Sequence, residues 1–119
     1  MRSGRRSRWI GRAITGVGML HSVYALIDHD AAFRAMVQDG LVGAVEGHPD
    51  RTEAFWFLIS GLLTICVGSL VHQLETVSVQ VPTPFALGFL LLAVLAIVAV
   101  PTGGAWLLLI PAVGVMMKR

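Results

Sequence analysis

The chain has 119 residues, of which 55% are hydrophobic and only 13% charged, with a formal net charge of +2 and a mean hydropathy of +0.76. Soluble domains carry about 25% charged residues, so this deficit, with long charge-free runs, excludes an ordinary soluble domain and places the chain in the membrane class. A lone cysteine, Cys66, excludes an intrachain disulfide and a cysteine metal cluster, and its mid-helix position reads as a small apolar filler.

Charge placement says more than net charge. Seven of the nine basic residues lie at the two ends: Arg2, Arg5, Arg6, Arg8, Arg12, Lys118 and Arg119. Six of the seven acids, Asp28, Asp30, Asp39, Glu46, Asp50 and Glu53, lie in one central stretch, and Glu75 stands apart. That asymmetry is a topology signal. The basic tail is short and adjoins an apolar run, so its expected partner is the anionic headgroup layer of a bilayer rather than nucleic acid.

Residues 1–8, MRSGRRSR, open the chain. Arg5 and Arg6 before an apolar run resemble a twin-arginine export signal, with Val23-Tyr24-Ala25 as a cleavage site. His21 and Tyr24 interrupt that apolar run, so the preferred reading is an uncleaved anchor with its positive end inside. Residues 9–27 form the first expected span, with Trp9 suited to the interface and Arg12 able to reach it. One face carries Gly11, Thr15, Gly18, Ser22 and Ala25, a seam of small residues that lets a neighbouring helix approach closely. About 90° around the helix lie His21, Tyr24 and Asp28.

Residues 28–53 are the one sizeable polar region. Asp30 caps and Gly47 ends an amphipathic helix whose apolar face holds Phe33, Met36, Val37, Leu41, Ala44 and Val45. Asp39-Gly40 is a candidate interruption, and Asp50 or Thr52 the cap of the next helix. The second span, 54–73, begins with eighteen uncharged residues, 54–71. They make a helix about 27 Å long, near the thickness of a bilayer's hydrocarbon core. Gly61, Thr64, Gly68 and His72 form its own small-residue seam, the natural partner of the first.

Pro82 and Pro84 break the chain in a short inner loop. Residues 85–117 hold no charge and are too long for one untilted crossing. Pro101-Thr102-Gly103-Gly104 divides them into spans 84–100 and 104–117 joined by an outer turn. The last is only about 20 Å long, so local thinning or tilting of its neighbours is expected. Four crossings put both basic ends in the cytoplasm and the acidic stretch outside; three would put Lys118 and Arg119 outside. The expected architecture is all-α: a single membrane domain over 1–119, an integral membrane four-helix bundle with one short amphipathic helix in the outer loop.

The segments WIGRAITGVGMLHSVYAL, EAFWFLISGLLTICVGSLVHQLE and PTGGAWLLLIPA resemble a family of small bacterial four-span membrane proteins, domain of unknown function 6463. The resemblance covers nearly the whole chain. It implies four membrane helices and no particular activity, and no catalytic residue carries over from it.

Ionisable side chains within spans are costly and are functional candidates. On antiparallel helices, His21, Tyr24, Asp28, Glu53, Trp56 and Ser60 reach similar depth and can converge in one outward-facing cleft. One reading is an acid–base site of isomerase or cyclase type, or a binder of a lipophilic ligand. The preferred reading is structural: His21 bonds a neighbouring helix, and Asp28 and Glu53 sit at wet helix ends. His29, His48, Asp30 and Asp50 are potential metal ligands without ligand spacing, so no metal is expected. His21 and His72 lie at opposite depths, too far apart for one haem iron, so no cofactor is expected. His72 and Glu75 share a face, as a proton relay or, preferably, an interfacial end turn drawn to the arginine tail. So few polar groups give no continuous lining for an ion channel. The favoured function is a non-enzymatic accessory or interaction protein of the cytoplasmic membrane, paired with another membrane protein or with itself.

Overall fold

The computed structural model describes residues 8–101 and 106–117. Arg2, Arg5, Arg6, Lys118, Arg119 and the Thr102–Gly104 part of the expected outer turn lie outside the described residues. Within them the chain is all-α, with five helices and no strand. They are α1 (Ile10–Asp28), α2 (Asp30–Gln38), α3 (Pro49–Thr76), α4 (Thr83–Ala99) and α5 (Trp106–Met117). Two of them, α1 and α3, are long and apolar enough to cross a membrane; α4 and α5 are shorter apolar helices.

The central unit is the antiparallel pair α1–α3, and small residues set its spacing. A Cβ on Gly11 would collide with the backbone of His72, and one on Gly68 with the backbone of Thr15. A Cβ on Gly18 would lie 2.8 Å from Gly61 O and Ile65 N, and one on Gly61 would collide with Ser22. Each step along α1 matches an equal step back along α3, so the two backbones run in contact over most of α1. The buried Ser22 hydroxyl donates to Gly18 O at 2.8 Å, and Thr64 to Ser60 O at 2.7 Å, so neither leaves a hydroxyl hydrogen stranded.

At the Trp9 end, Ile10, Ile14, Val71, Ala86 and Val115 close a core shared by α1, α3, α4 and α5. Gly114 of α5 lies beneath the Trp9 ring, where a Cβ would meet Cη2 and Cζ2 at 2.6 Å. Phe85 and Phe89 stack one turn apart along α4, with ring centroids 5.7 Å apart. The Trp106 indole donates to Pro101 O at 2.8 Å, tying the start of α5 to the end of α4.

At the other end Asp30 is the first residue of α2, with His29 in the N-cap position in its place, and the chain departs from expectation in two further places. The amphipathic helix stops at Gln38 rather than Gly47. Gly40 and Leu41 both adopt positive φ, +87° and 69°, and the Leu41 N–H bonds back to Met36 O while Gly40 N–H bonds to Val37 O. That pair of bonds closes a Schellman end, which a glycine after Asp39 makes inexpensive. Val37 and Leu41 consequently face outward, while Ala32, Met36 and Ala44 pack on Ala54 of α3. Secondly, α3 starts at Pro49, with His48 in the N-cap position instead of Asp50 or Thr52. Proline fits the first turn because its missing N–H would have no partner there.

Arg51 holds these turns to α3. Its Nη1 donates to Asp39 Oδ2 at 2.7 Å and to Ala44 O at 2.8 Å, and its side chain is 12% exposed. Arg51→Ala should destabilise this corner by about 1–2 kcal/mol. Hydrogen exchange checks it: amides of 40–47 should exchange faster while those of α3 keep their protection.

Candidate functional site

His21 projects from α1 toward α3. Its ring lies flat on Phe57, with centroids 3.9 Å apart and an interplanar angle of 6°, and its Nε2 is 3.1 Å from Ser60 Oγ. Tyr24, one turn on, tilts against the same ring at 5.7 Å, and His29, past the end of α1, does so at 5.5 Å. Phe57 is therefore the hub of the cluster. It sits on the α3 face that meets α1, three residues before Ser60, and only that spacing could have marked it beforehand.

Of the six residues expected to converge, the structure brings His21, Tyr24 and Ser60 together. Asp28 is exposed and approaches His29, with 3.7 Å between Oδ2 and Nε2, instead of His21. Glu53 and Trp56 are exposed on α3, and Trp56 packs edge-on against Phe55. No hydrogen bond, ion pair or ring contact among the described residues joins Glu53 or Trp56 to His21. Phe57 and His29 replace them around the imidazole. Tyr24 and Trp56 are 55% and 60% exposed, so the group forms a crease on the α1–α3 surface rather than an enclosed cleft.

The hydrogen bonds assign the proton positions. Ser60 Oγ donates its single hydrogen to Phe57 O at 2.8 Å. Nε2 of His21 must then be the donor to Ser60, which leaves Nδ1 as the acceptor in the neutral ring. This is the reverse of a serine–histidine nucleophile pair, in which the imidazole takes the hydroxyl proton. With Asp28 on His29, no carboxylate orients His21 either. What the arrangement does directly is fasten α1 to α3 by one stacked ring pair and one hydrogen bond.

The second polar pair has a different outcome. Glu75 reaches across to the start of α1: Gly11 N–H donates to Oε1 at 2.8 Å and Ile10 N–H to Oε2 at 3.2 Å. The carboxylate thus caps the N-terminus of a helix 64 residues earlier in the chain, where orphan N–H groups and the helix dipole favour an anion. His72 lies beside Gly11, while His21 lies beside Gly61, so the two imidazoles sit at opposite ends of the α1–α3 pair. Cys66 is exposed on α3 and fills no core position. Among the described residues, no group of three or more His, Cys, Asp or Glu side chains is placed to hold a metal ion.

Neither the comparison with curated proteins nor that with solved structures yields a match. A family model does match, over residues 5–119, and its description is "Family of unknown function (DUF6463)". The chain belongs to that family.

Proposed function

We infer that the protein is a four-span integral protein of the cytoplasmic membrane, with both termini inside, serving as a non-enzymatic accessory or interaction partner. The observation that carries the membrane assignment is the surface of α3. Its most apolar window has a mean hydropathy of 2.1, yet only 22% of it is buried. The core helix of a soluble protein would hide such a surface. Leu63, Leu92 and Val98 point outward on α3 and α4, while alanine and glycine line the contacts between helices. Close packing through small residues with large apolar side chains turned outward suits a lipid solvent. The acid-rich stretch 28–53 and the flanking arginines support the orientation.

The accessory role rests on the crease at His21, where the polar groups are engaged in holding helices together. A second reading keeps the crease as a site for a lipophilic ligand or an acid–base reaction, because the Nδ1 acceptor and the Tyr24 hydroxyl stand within one turn. His21→Ala and Ser60→Ala discriminate. On the accessory reading each lowers stability by about 1 kcal/mol, measured by thermal unfolding in detergent, and leaves a cellular phenotype intact. Loss of the phenotype at unchanged stability and expression would favour the site. Cysteine labelling at both termini of a Cys66→Ser protein tests the topology; an external C-terminus with an internal N-terminus rules out four spans.

A further inference from the structure

On the side of α1 away from His21, a cavity of about 340 Å³ is lined by Arg12, Thr15, Gly16, Met19, Ser69 and His72. An apolar groove of about 480 Å³ between α1 and α5 adjoins it and shares Gly16 and Met19; Ala13, Val17, Leu20, Leu107, Ile110 and Pro111 complete its walls. The two make one trough, polar near the Trp9 end of α1 and apolar beyond. Both volumes fall within the range of ligand pockets, about 300–1,000 Å³.

The polar groups at its head have no partner among the described residues. Ser22, Thr52, Ser60, Thr64 and Thr76 each donate their hydroxyl to a helix carbonyl. Thr15 and Ser69, the two hydroxyl-bearing residues that line this cavity, donate to none of the described residues; the Thr15 Oγ1 lies against Gly68 in the seam, and Ser69 is exposed. The buried Nδ1 of His72 has no partner among the described residues. Arg12 forms no ion pair with a described residue. Glu75, the acid nearest to His72 along α3, is turned to the N–H groups of Ile10 and Gly11. The head of the trough therefore offers the Arg12 guanidinium and the Ser69 hydroxyl beside the His72 ring, and among the described residues no carboxylate lines it.

We propose that this trough binds one anionic phospholipid, its phosphate at Arg12 and Ser69 beside His72 and an acyl chain over Gly16 into the α1–α5 groove. The inference rests on the membrane reading above. An amphiphile is required because the polar head and the apolar groove are continuous; a free anion would leave the groove without an occupant. Anionic rather than zwitterionic lipid follows from charge. Arg12 attracts the phosphate, and no acidic side chain lining the trough would receive a choline cation.

Gly16 permits a clean test, since a Cβ there would meet nothing within 4 Å. Gly16→Leu extends into the junction of the two cavities from a Cβ that meets no protein neighbour. The full-length protein in mild detergent is titrated with dioleoylphosphatidylglycerol, with dioleoylphosphatidylcholine and with inorganic phosphate, and adducts are read by native mass spectrometry. One phosphatidylglycerol is expected to be retained at least five-fold more strongly than phosphatidylcholine. Arg12→Gln should reduce that preference about five-fold, Gly16→Leu should abolish retention with thermal stability unchanged or raised, and phosphate alone should not bind. Equal retention of both lipids, or full retention by Gly16→Leu, overturns the proposal, as does binding of inorganic phosphate as tight as that of lipid. Should Gly16→Leu fail to fold, Ser69→Ala replaces it, with a two-fold or greater loss expected and no loss counting against the site. Flotation with liposomes separates the two levels: a protein that fails to float ends the membrane reading, and one that floats without lipid preference ends only this proposal.

Discussion

Gly68→Leu will uncouple α1 from α3. A Cβ at this position meets Thr15 N at 2.5 Å and Gly11 O at 2.9 Å, and both are backbone atoms that no rotamer change can move aside. The helices would have to separate along their whole seam, because Gly11, Gly18 and Gly61 make equally close approaches on either side. Overpacking in a well-packed core costs about 1–3 kcal/mol and occasionally more; backbone collision at the centre of the main helix pair places this variant at the upper end, about 3 kcal/mol. Thermal unfolding in detergent should show a large drop or loss of the cooperative transition. Gly88→Leu is the control, since a Cβ there meets nothing within 4 Å, and it should unfold like the parent. Equal behaviour of the two leucine variants would refute the seam as the organising contact.

Glu75→Ala should be the next most damaging single change. It removes both acceptors from the first turn of α1 and leaves the N–H groups of Ile10 and Gly11 part-buried without them. Hydrogen bonds to a charged group contribute about 1.5–3 kcal/mol each, and a shared carboxylate on two adjacent donors gives an expected loss of about 3 kcal/mol, helix-dipole term included. Glu75→Gln retains one carbonyl oxygen and should lose roughly half as much. The site-specific readout is hydrogen exchange. Amides at the start of α1 should lose protection in Glu75→Ala, with the centre of α1 less affected. Uniform loss along α1 would mean that the carboxylate acts on the pair as a whole and is no local cap.

The helices were legible in the sequence because hydropathy and length are local properties. Thirty-three uncharged residues broken at Pro101, and eighteen ahead of His72, leave little but apolar helices to form. The glycine and serine spacing on α1 and α3 was readable for the same reason, since a face is defined within one helix. Properties that depend on two segments were not readable. Glu75 stood alone at a helix end, and nothing local says that its oxygens point at Ile10 and Gly11. Phe57 was one apolar residue among many until the α1–α3 register placed it beneath His21. Glu53 and Trp56 matched His21 in depth but not in azimuth, and depth alone cannot set a rotation about the helix axis. The end of α2 was half legible: Gly47 is not its end, but the candidate interruption at Asp39-Gly40 is a full stop, because Leu41 follows it into the left-handed region.

The glycine seam has a consequence for alignment. Sliding α3 by about one helical turn against α1 would replace His72 by Gly68 beside Gly11, Gly68 by Thr64 beside Thr15 and Ile65 by Gly61 beside Gly18, small against small, with only Ser22 meeting a large residue, Phe57. Close packing alone is thus a poor vernier, nearly satisfied at more than one notch. Glu75 on the first turn of α1 and Ser60 on His21 act as two distant pins that fit a single setting. Their loss together would blur the alignment of two helices that still adhere.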